Sequence, residues 1–246
     1  MSETERPLRI TPDMLLGRRV DFERRMRRAP PATIALVLTL GAVFALEVAA
    51  GALDSRDAII AAGALLREAV RAGEWWRLVS ATFLHGSIDH IISNAIGLFI
   101  LGMACEHGFG RGQFLLLYAA SGLGGSLLSL ATSAGPSVGA SGAIFGLQGA
   151  AIVLFRRYRE RLLVRDRRIG FVLLVWALYS ILGGIFDPYV DNGAHLGGFL
   201  TGALVARRLH PVVLEPLSEE AASRVRRWLW VAGALLAVTL VAMLTR

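Results

Sequence analysis

The sequence has no lysine, a single cysteine (Cys105), and charge on only 18% of its 246 residues. One cysteine excludes an internal disulfide and a cysteine metal cluster, and a small buried apolar thiol is the ordinary fate of such a residue. Soluble domains carry about 25% charged residues, so this shortage argues against a soluble enzyme and excludes disorder for most of the chain. What is abundant is apolar: 54% of residues are hydrophobic and the mean hydropathy is +0.55. Apolar runs recur at about the 20 residues that cross a bilayer core of roughly 30 Å. The expected class is all-α, a polytopic membrane helical bundle.

All 26 basic residues are arginine, set against 19 acidic ones for a formal charge of +7. The arginines fall in blocks between apolar runs and form no basic stripe with interleaved aromatics. The expected partner is therefore the lipid bilayer, with no nucleic acid.

The apolar segments are 33–52, 88–104, 114–132, 141–155, 169–186, 193–206 and 228–245. Arginine counting orients them: eight lie within 1–32, seven within 156–168, five within 207–227, and none within 133–140 or 187–192. Seven spans that begin inside place every arginine-rich loop in the cytoplasm. The expected organisation is a basic cytoplasmic tail over 1–32, a core over 33–208, a cytoplasmic linker over 209–227, and a seventh helix over 228–245 that ends outside. The host is then a plasma or inner cell membrane. Residues 1–31 lack the apolar core of a signal peptide, and their five acidic residues disfavour a transit peptide.

The external stretch 53–87 is too charged to span. Ile59, Ile60, Leu65, Leu66 and Val70 alternate there with Arg67, Glu68 and Arg71, the pattern of a segment lying in the interface. Trp75 and Trp76 fit an interfacial aromatic belt. Glu47, near the outer end of the first span, reads as an interfacial hydrogen-bonding group.

Segment 141–155 would give about 22 Å of helix, less than the hydrocarbon thickness. The stretch before it holds Gly135, Pro136 and Gly139, which do not continue a helix comfortably. Irregular backbone at membrane depth is tolerated only where protein covers it or water reaches it. The outer end of this segment is expected to sit recessed, at the floor of a cavity. Gly142, Gly146 and Gly149 share one helix face, and Ala194, Gly198 and Gly202 repeat the small-xxx-small spacing that lets helix backbones approach closely.

Segments 88–104, 141–155 and 193–206 run in the same direction, so His90, Asn94, Ser141 and His195 share one depth near the outer leaflet. His90 and Asn94 are spaced i, i+4 and face the same way. A lone serine in a span ordinarily bonds the preceding turn, and a lone histidine there can be a structural hydrogen-bonder. Four such residues at one depth, one of them after a helix-breaking loop, point to chemistry instead. An imidazole can activate a serine hydroxyl. Asn, His and backbone N–H groups can hold a developing oxyanion, and Ser141 at a helix start carries an unpaired N–H.

The stretch Gly139-Ala-Ser141-Gly142 resembles the nucleophile motif of the rhomboid intramembrane serine proteases. Ala194-His195 through Gly198 and Gly202 resembles their partner-histidine helix, and His85 through His90 to Asn94 is similar to their paired-histidine and asparagine segment. Trp76-Arg77 resembles the Trp-Arg pair of their first external loop, and Glu106 with Gly110 resembles their Glu-xxx-Gly element. The resemblance implies a six-helix core using a Ser–His dyad with no acidic third member. Ser141 would be the nucleophile and His195 the general base and acid. Oxyanion donors would be His90, Asn94 and the Ser141 backbone N–H. Supporting residues would be His85, Gly139, Gly142, Phe145, Gly198, Gly202, Trp76, Arg77 and Glu106, with Phe145 standing where family members often have a tyrosine stacked beneath the histidine. The segment 228–245 resembles the six-plus-one subclass. The resemblance also implies no cofactor or metal, substrates that are transmembrane proteins with small or helix-weakening residues near the cleavage site, and movement around 169–186 and the loop that follows.

The alternative is a catalytically inactive rhomboid-like protein of membrane-protein binding or quality control; against it, both nucleophile and base are present. A transporter would show an inverted repeat or a carboxylate pathway, and neither is evident. The metalloprotease pattern needs histidines at i, i+4 around a glutamate, whereas His85 and His90 are five apart. An aspartyl intramembrane protease needs two aspartates in spans, and an α/β-hydrolase elbow needs glycine where Ala143 stands.

Overall fold

The computed structural model describes residues 19–164, 168–184 and 190–245. The chain opens with β1 (Val20–Asp21), α1 (Phe22–Met26) and the long helix α2 (Pro31–Ala49). Three short helices follow: α3 (Arg56–Ala62), α4 (Arg67–Arg71) and α5 (Arg77–Ser80). The remainder is α6 (Ile88–Phe109), α7 (Arg111–Thr132), α8 (Ser141–Arg157), β2 (Leu162–Leu163), α9 (Ile169–Gly184), α10 (Asn192–Ala206) and α11 (Glu219–Leu244). The expectations for residues 1–18 and 185–189 lie outside the described residues.

Among the described residues, each of the seven apolar segments falls mainly on one helix. Four helices among the described residues, α2, α6, α7 and α11, are long and apolar enough to cross a membrane. Large apolar side chains point away from the bundle on several of them, with Leu46 69% and Trp230 80% exposed. Water would disfavour such a surface, and lipid accepts it. The inner faces surround α8, which packs closely against α10 and also against α6, α7 and α9. Its buried residues include Leu147, Ala150, Ala151 and Leu154.

Local chemistry sets the helix ends. Ser87 caps α6 by accepting from the His90 N–H at 3.2 Å. The helix runs on to Phe109, beyond its apolar segment, and the turn into α7 contracts to Gly110 at φ +79°. Ser218 caps α11, and Glu219 and Glu220 in its first turn suit the positive end of the helix dipole. That helix therefore begins well before its apolar part, within the stretch expected to be a linker.

Two contacts go beyond what the sequence pattern signals. Part of the basic N-terminal stretch docks on the bundle. β1 pairs in parallel with β2, Val20 opposite Leu162, and Phe22 is fully buried edge-on to Phe155 at 5.3 Å between ring centroids. A single aromatic among arginines gives no periodic signal, which is why this docking is hidden in the sequence.

The stretch 53–87 is tied down as well. It folds onto the bundle, and Trp76 is only 4% exposed where Trp75 is 43%. The Arg77 guanidinium stacks over the Trp76 ring at 4.7 Å and donates to the carbonyls of Ile60 and Ala64 while pairing with Glu74. Short helices leave terminal carbonyls without partners, and the arginine fork supplies donors to them from one buried side chain.

Glu106 works in the same way at the other end of the bundle. Pro30 offers α2 no side-chain cap. Instead the Glu106 carboxylate accepts from the N–H groups of Ala32 (3.1 Å) and Thr33 (2.8 Å) and from the Thr33 hydroxyl (2.8 Å). It thus caps α2 from α6. Glu106→Ala is expected to destabilise the bundle by about 2–3 kcal/mol, because buried donors to a charged acceptor lose it. A thermal-unfolding midpoint equal to wild type in the same detergent would exclude this capping role.

Candidate active site

Helix α8 begins at Ser141 and has 17 residues, a length of about 26 Å at the usual rise. The loop ahead of it, 133–140, has no helical ladder of its own and is held from outside. Leu65 and Ser137 exchange both backbone hydrogen bonds at 2.9 Å, and the Gly139 N–H donates to the Ala81 carbonyl at 2.9 Å. Arg67 closes the end of α7 by donating to the carbonyls of Leu130 and Ser133. Gly139 takes φ +125°, a conformation that disfavours a side chain. A Cβ there would also strike the His90 ring, 2.7 Å from Nε2, and would lie 3.8 Å from Ser141 Oγ. The bare backbone at Gly139 thus lets the His90 imidazole and the Ser141 hydroxyl flank one small space.

Helix α10 carries His195 against α8. The approach is closer than any side chain allows: a Cβ on Gly198 would overlap the Gly142 carbonyl, and one on Gly202 would overlap the Gly146 carbonyl. This brings His195 Nε2 to 3.0 Å from Ser141 Oγ, inside hydrogen-bond range. The Phe145 ring stacks on the imidazole at 4.1 Å between centroids and 18° between planes. For Nε2 to accept the hydroxyl proton, Nδ1 must carry the ring's own proton. Among the described residues, no partner accepts from that buried Nδ1.

The other expected residues are placed less directly. The Asn94 side chain is buried, and its amide donates to the His90 carbonyl one turn back at 2.9 Å. Its described hydrogen bond therefore stays within α6 and does not reach Ser141. His85 is fully buried, edge-on to His90 with ring centroids 5.1 Å apart. Its Nδ1–H donates to the Phe83 carbonyl at 3.2 Å. Burial pushes the His85 imidazole down to about 4, with the neighbouring His90 acting in the same sense and the Phe83 carbonyl opposing. At neutral pH this ring is uncharged. The Glu47 carboxylate accepts from the His85 backbone N–H at 3.0 and 3.2 Å, so it pins the loop that precedes α6 to α2. Trp76, Arg77 and Glu106 are structural neighbours of the loops and helix ends described above.

The sequence reading passed over Asp191 and the serines beside it. Asp191 caps α10, accepting from the Ala194 N–H at 2.9 Å, and also accepts from the hydroxyls of Ser129 and Ser133 on and just after α7. An Asp immediately ahead of an apolar helix is an N-cap signal, and Ser129, Ser133 and Ser137 recur every four residues. Together these could have marked the site.

A serine hydroxyl beside an unhindered imidazole nitrogen, at the start of a short helix whose flank is bare glycine, narrows the comparison with known proteins. The Rhomboid domain family model matches residues 72–212, more than half of the chain and the whole stretch from Trp76 to His195. The chain belongs to the rhomboid family. Among its relatives, Rhomboid protease GluP of Bacillus subtilis (strain 168) is 37% identical over 166 residues, 68% of this chain and 32% of GluP. RHOMBOID-like protein 5 of Arabidopsis thaliana is 44% identical over 143 residues, 57% of this chain and 46% of that protein. Rhomboid protease AarA of Providencia stuartii is 30% identical over 199 residues, 71% of this chain and 70% of AarA. The match thus spans less than half the length of the first two relatives and most of the third. As a rhomboid, the chain is a multi-pass helical membrane protein.

Proposed function

We propose that this rhomboid is an intramembrane serine endopeptidase that cleaves transmembrane proteins near the outer membrane face. The observation that carries the reading is the 3.0 Å contact between His195 Nε2 and Ser141 Oγ. His195 takes the hydroxyl proton as Oγ attacks the scissile carbonyl carbon. The resulting oxyanion lies near the Ser141 N–H, which has no helical partner at the start of α8, and near the His90 ring across Gly139. Asn94 would join them by giving up its bond to the His90 carbonyl. When the C–N bond breaks, His195 returns its proton to the leaving amine. It then takes a proton from water as the water oxygen attacks the acyl carbon, and returns that proton to Ser141 Oγ as the acyl C–Oγ bond breaks. The dyad needs no metal or cofactor. A substrate helix hides its carbonyls in internal hydrogen bonds, so small or helix-weakening residues near the scissile bond favour attack.

The arrangement of the loops supports the topology with seven spans, a cytoplasmic N-terminus and an external C-terminus. The arginine-rich loops meet at one end of the bundle: β1 pairs with β2, Arg157 donates to the Arg207 carbonyl, and Arg161 pairs with Glu215. Ser141, His90 and His195 open their helices at the opposite end. A plasma or inner membrane with its cytoplasm on the arginine side fits this polarity.

The test is cleavage of a single-span substrate protein co-reconstituted in liposomes. Wild type should release fragments that Ser141→Ala does not, and chelators should leave the rate unchanged. Persistent cleavage by Ser141→Ala, or binding of the substrate protein with no cleavage by wild type, would favour the other classes. In the same assay His90→Ala is expected to slow turnover by about 10²-fold, the loss typical of one oxyanion donor, with Asn94→Ala acting in the same direction. Wild-type rates in both variants and in the double variant would remove these side chains from the site.

A further inference from the structure

We propose that Asp191 is a positioning residue for the Ser141–His195 pair, its carboxylate tying the loop ahead of Ser141 to the first turn of the helix that carries His195. The inference rests on the proteolytic reading above and adds to it a residue outside the dyad and the oxyanion set.

Asp191 stands one turn before His195, and its backbone carbonyl accepts from the His195 N–H at 3.1 Å. Its two carboxylate oxygens divide their work. Oδ1 accepts from the Ala194 N–H at 2.9 Å and from the Ser133 hydroxyl at 2.7 Å, and Oδ2 accepts from the Ser129 hydroxyl. The Ser137 hydroxyl interacts with it as well. One side chain therefore joins the end of α7, the loop 133–140 and the start of α10. Burial raises the carboxyl pKa, but the bonds from Ser129, Ser137, Ala194 and Ser133 outweigh it and hold the group below its ordinary value. It stays ionised, an acceptor at every lone pair.

The need for such a tie follows from how α8 and α10 meet. Their facing surfaces are bare backbone at Gly142, Gly146, Gly198 and Gly202. Glycine faces permit close approach, yet they lack interlocking side chains to resist sliding along the helix axes. Directional hydrogen bonds at the helix start supply that resistance. Gly193 shows how tightly this end is closed, since a Cβ on it would overlap the Thr132 hydroxyl and lie 3.2 Å from Asp191 Oδ1. A slip of about 1 Å between nucleophile and base is enough to cost roughly 10²-fold in rate. The tie also explains the three serines at 129, 133 and 137, which no part of the cleavage chemistry uses.

The experiment follows cleavage of a single-span substrate protein, labelling of Ser141 by a fluorophosphonate, and thermal unfolding, in wild type, Asp191→Ala, Asp191→Asn and the double variant Ser129→Ala/Ser133→Ala. Asp191→Ala should lower kcat and the labelling rate by about 10–10²-fold, with KM changed by less than about twofold because no substrate contact is lost. Asp191→Asn keeps an acceptor for the Ala194 N–H and should recover part of the rate. The serine double variant keeps the helix cap and the charge but loses the tie to α7, and should reproduce most of the loss. A cap that serves only folding would lower the unfolding midpoint and leave kcat alone. Wild-type kcat in folded Asp191→Ala, or a change confined to KM, would overturn the proposal. If Asp191→Ala does not fold, wild-type kcat in the serine double variant overturns it. Ser141→Ala is run alongside: labelling of that control equal to wild type would instead sink the proteolytic reading itself.

Discussion

Ser141→Ala is expected to remove peptide cleavage entirely, and His195→Ala to lower it by about 10²–10⁴-fold, the usual contribution of a positioned general base. The two differ in kind. Without Oγ there is no atom to acylate. Without the imidazole the hydroxyl remains, but it must lose its proton to water and is a poor nucleophile near neutral pH. Stability should respond little. The Ser141 side chain is half-buried and small, and the close contact of α8 with α10 is made by glycines rather than by the dyad. His195→Ala gives up the stacking on Phe145, so its unfolding midpoint should fall slightly more than that of Ser141→Ala. Initial rates of fragment release, measured with folded fractions checked by size-exclusion profile, test this directly. A His195→Ala rate within about threefold of wild type would mean that another group takes the proton.

Gly198→Leu should abolish the proposed cleavage without touching a reacting atom. A Cβ at this position already overlaps the Gly142 carbonyl, and a leucine adds bulk against backbone that has no rotamer to yield. The helices must then part, and overpacking of this kind costs about 1–3 kcal/mol of stability. Separation by about 1 Å or more takes His195 out of reach of Ser141 and should reduce cleavage by at least about 10²-fold. Gly198→Ala is a graded control, with a smaller loss in both readouts. The measurement is cleavage together with the unfolding midpoint. Wild-type activity in Gly198→Leu would mean that this face of α10 does not set the distance between the pair.

These expectations draw on features that were legible to different degrees. Among the described residues, each of the seven apolar segments lies mainly on a helix, because span length and composition are strong local signals. The small-residue spacing at Gly198 and Gly202 anticipated the contact between α8 and α10, since only glycine permits that approach. Helix ends were less visible. The extensions of α6 to Phe109 and of α11 back to Glu219 depend on Gly110 and Ser218 rather than on hydropathy. Long-range polar ties were hidden altogether. Nothing near Phe22 announces that it buries against Phe155, and nothing beside Trp76 announces that the Arg77 guanidinium lies over its ring and donates to the carbonyls of Ile60 and Ala64. Asp191 was passed over for a related reason: its partners at Ser129 and Ser133 are about sixty residues away in sequence.

The central claim, that Ser141 Oγ is the attacking atom and His195 Nε2 its base, is tested most directly by mass spectrometry of the protein after exposure to a fluorophosphonate in lipid. Attack by Oγ on phosphorus with loss of fluoride leaves one covalent adduct. The expected result is a single adduct mapping to Ser141 in wild type, none in Ser141→Ala, and formation slowed by about 10²-fold or more in His195→Ala. An adduct on another residue, or equal labelling of wild type and Ser141→Ala, would contradict it.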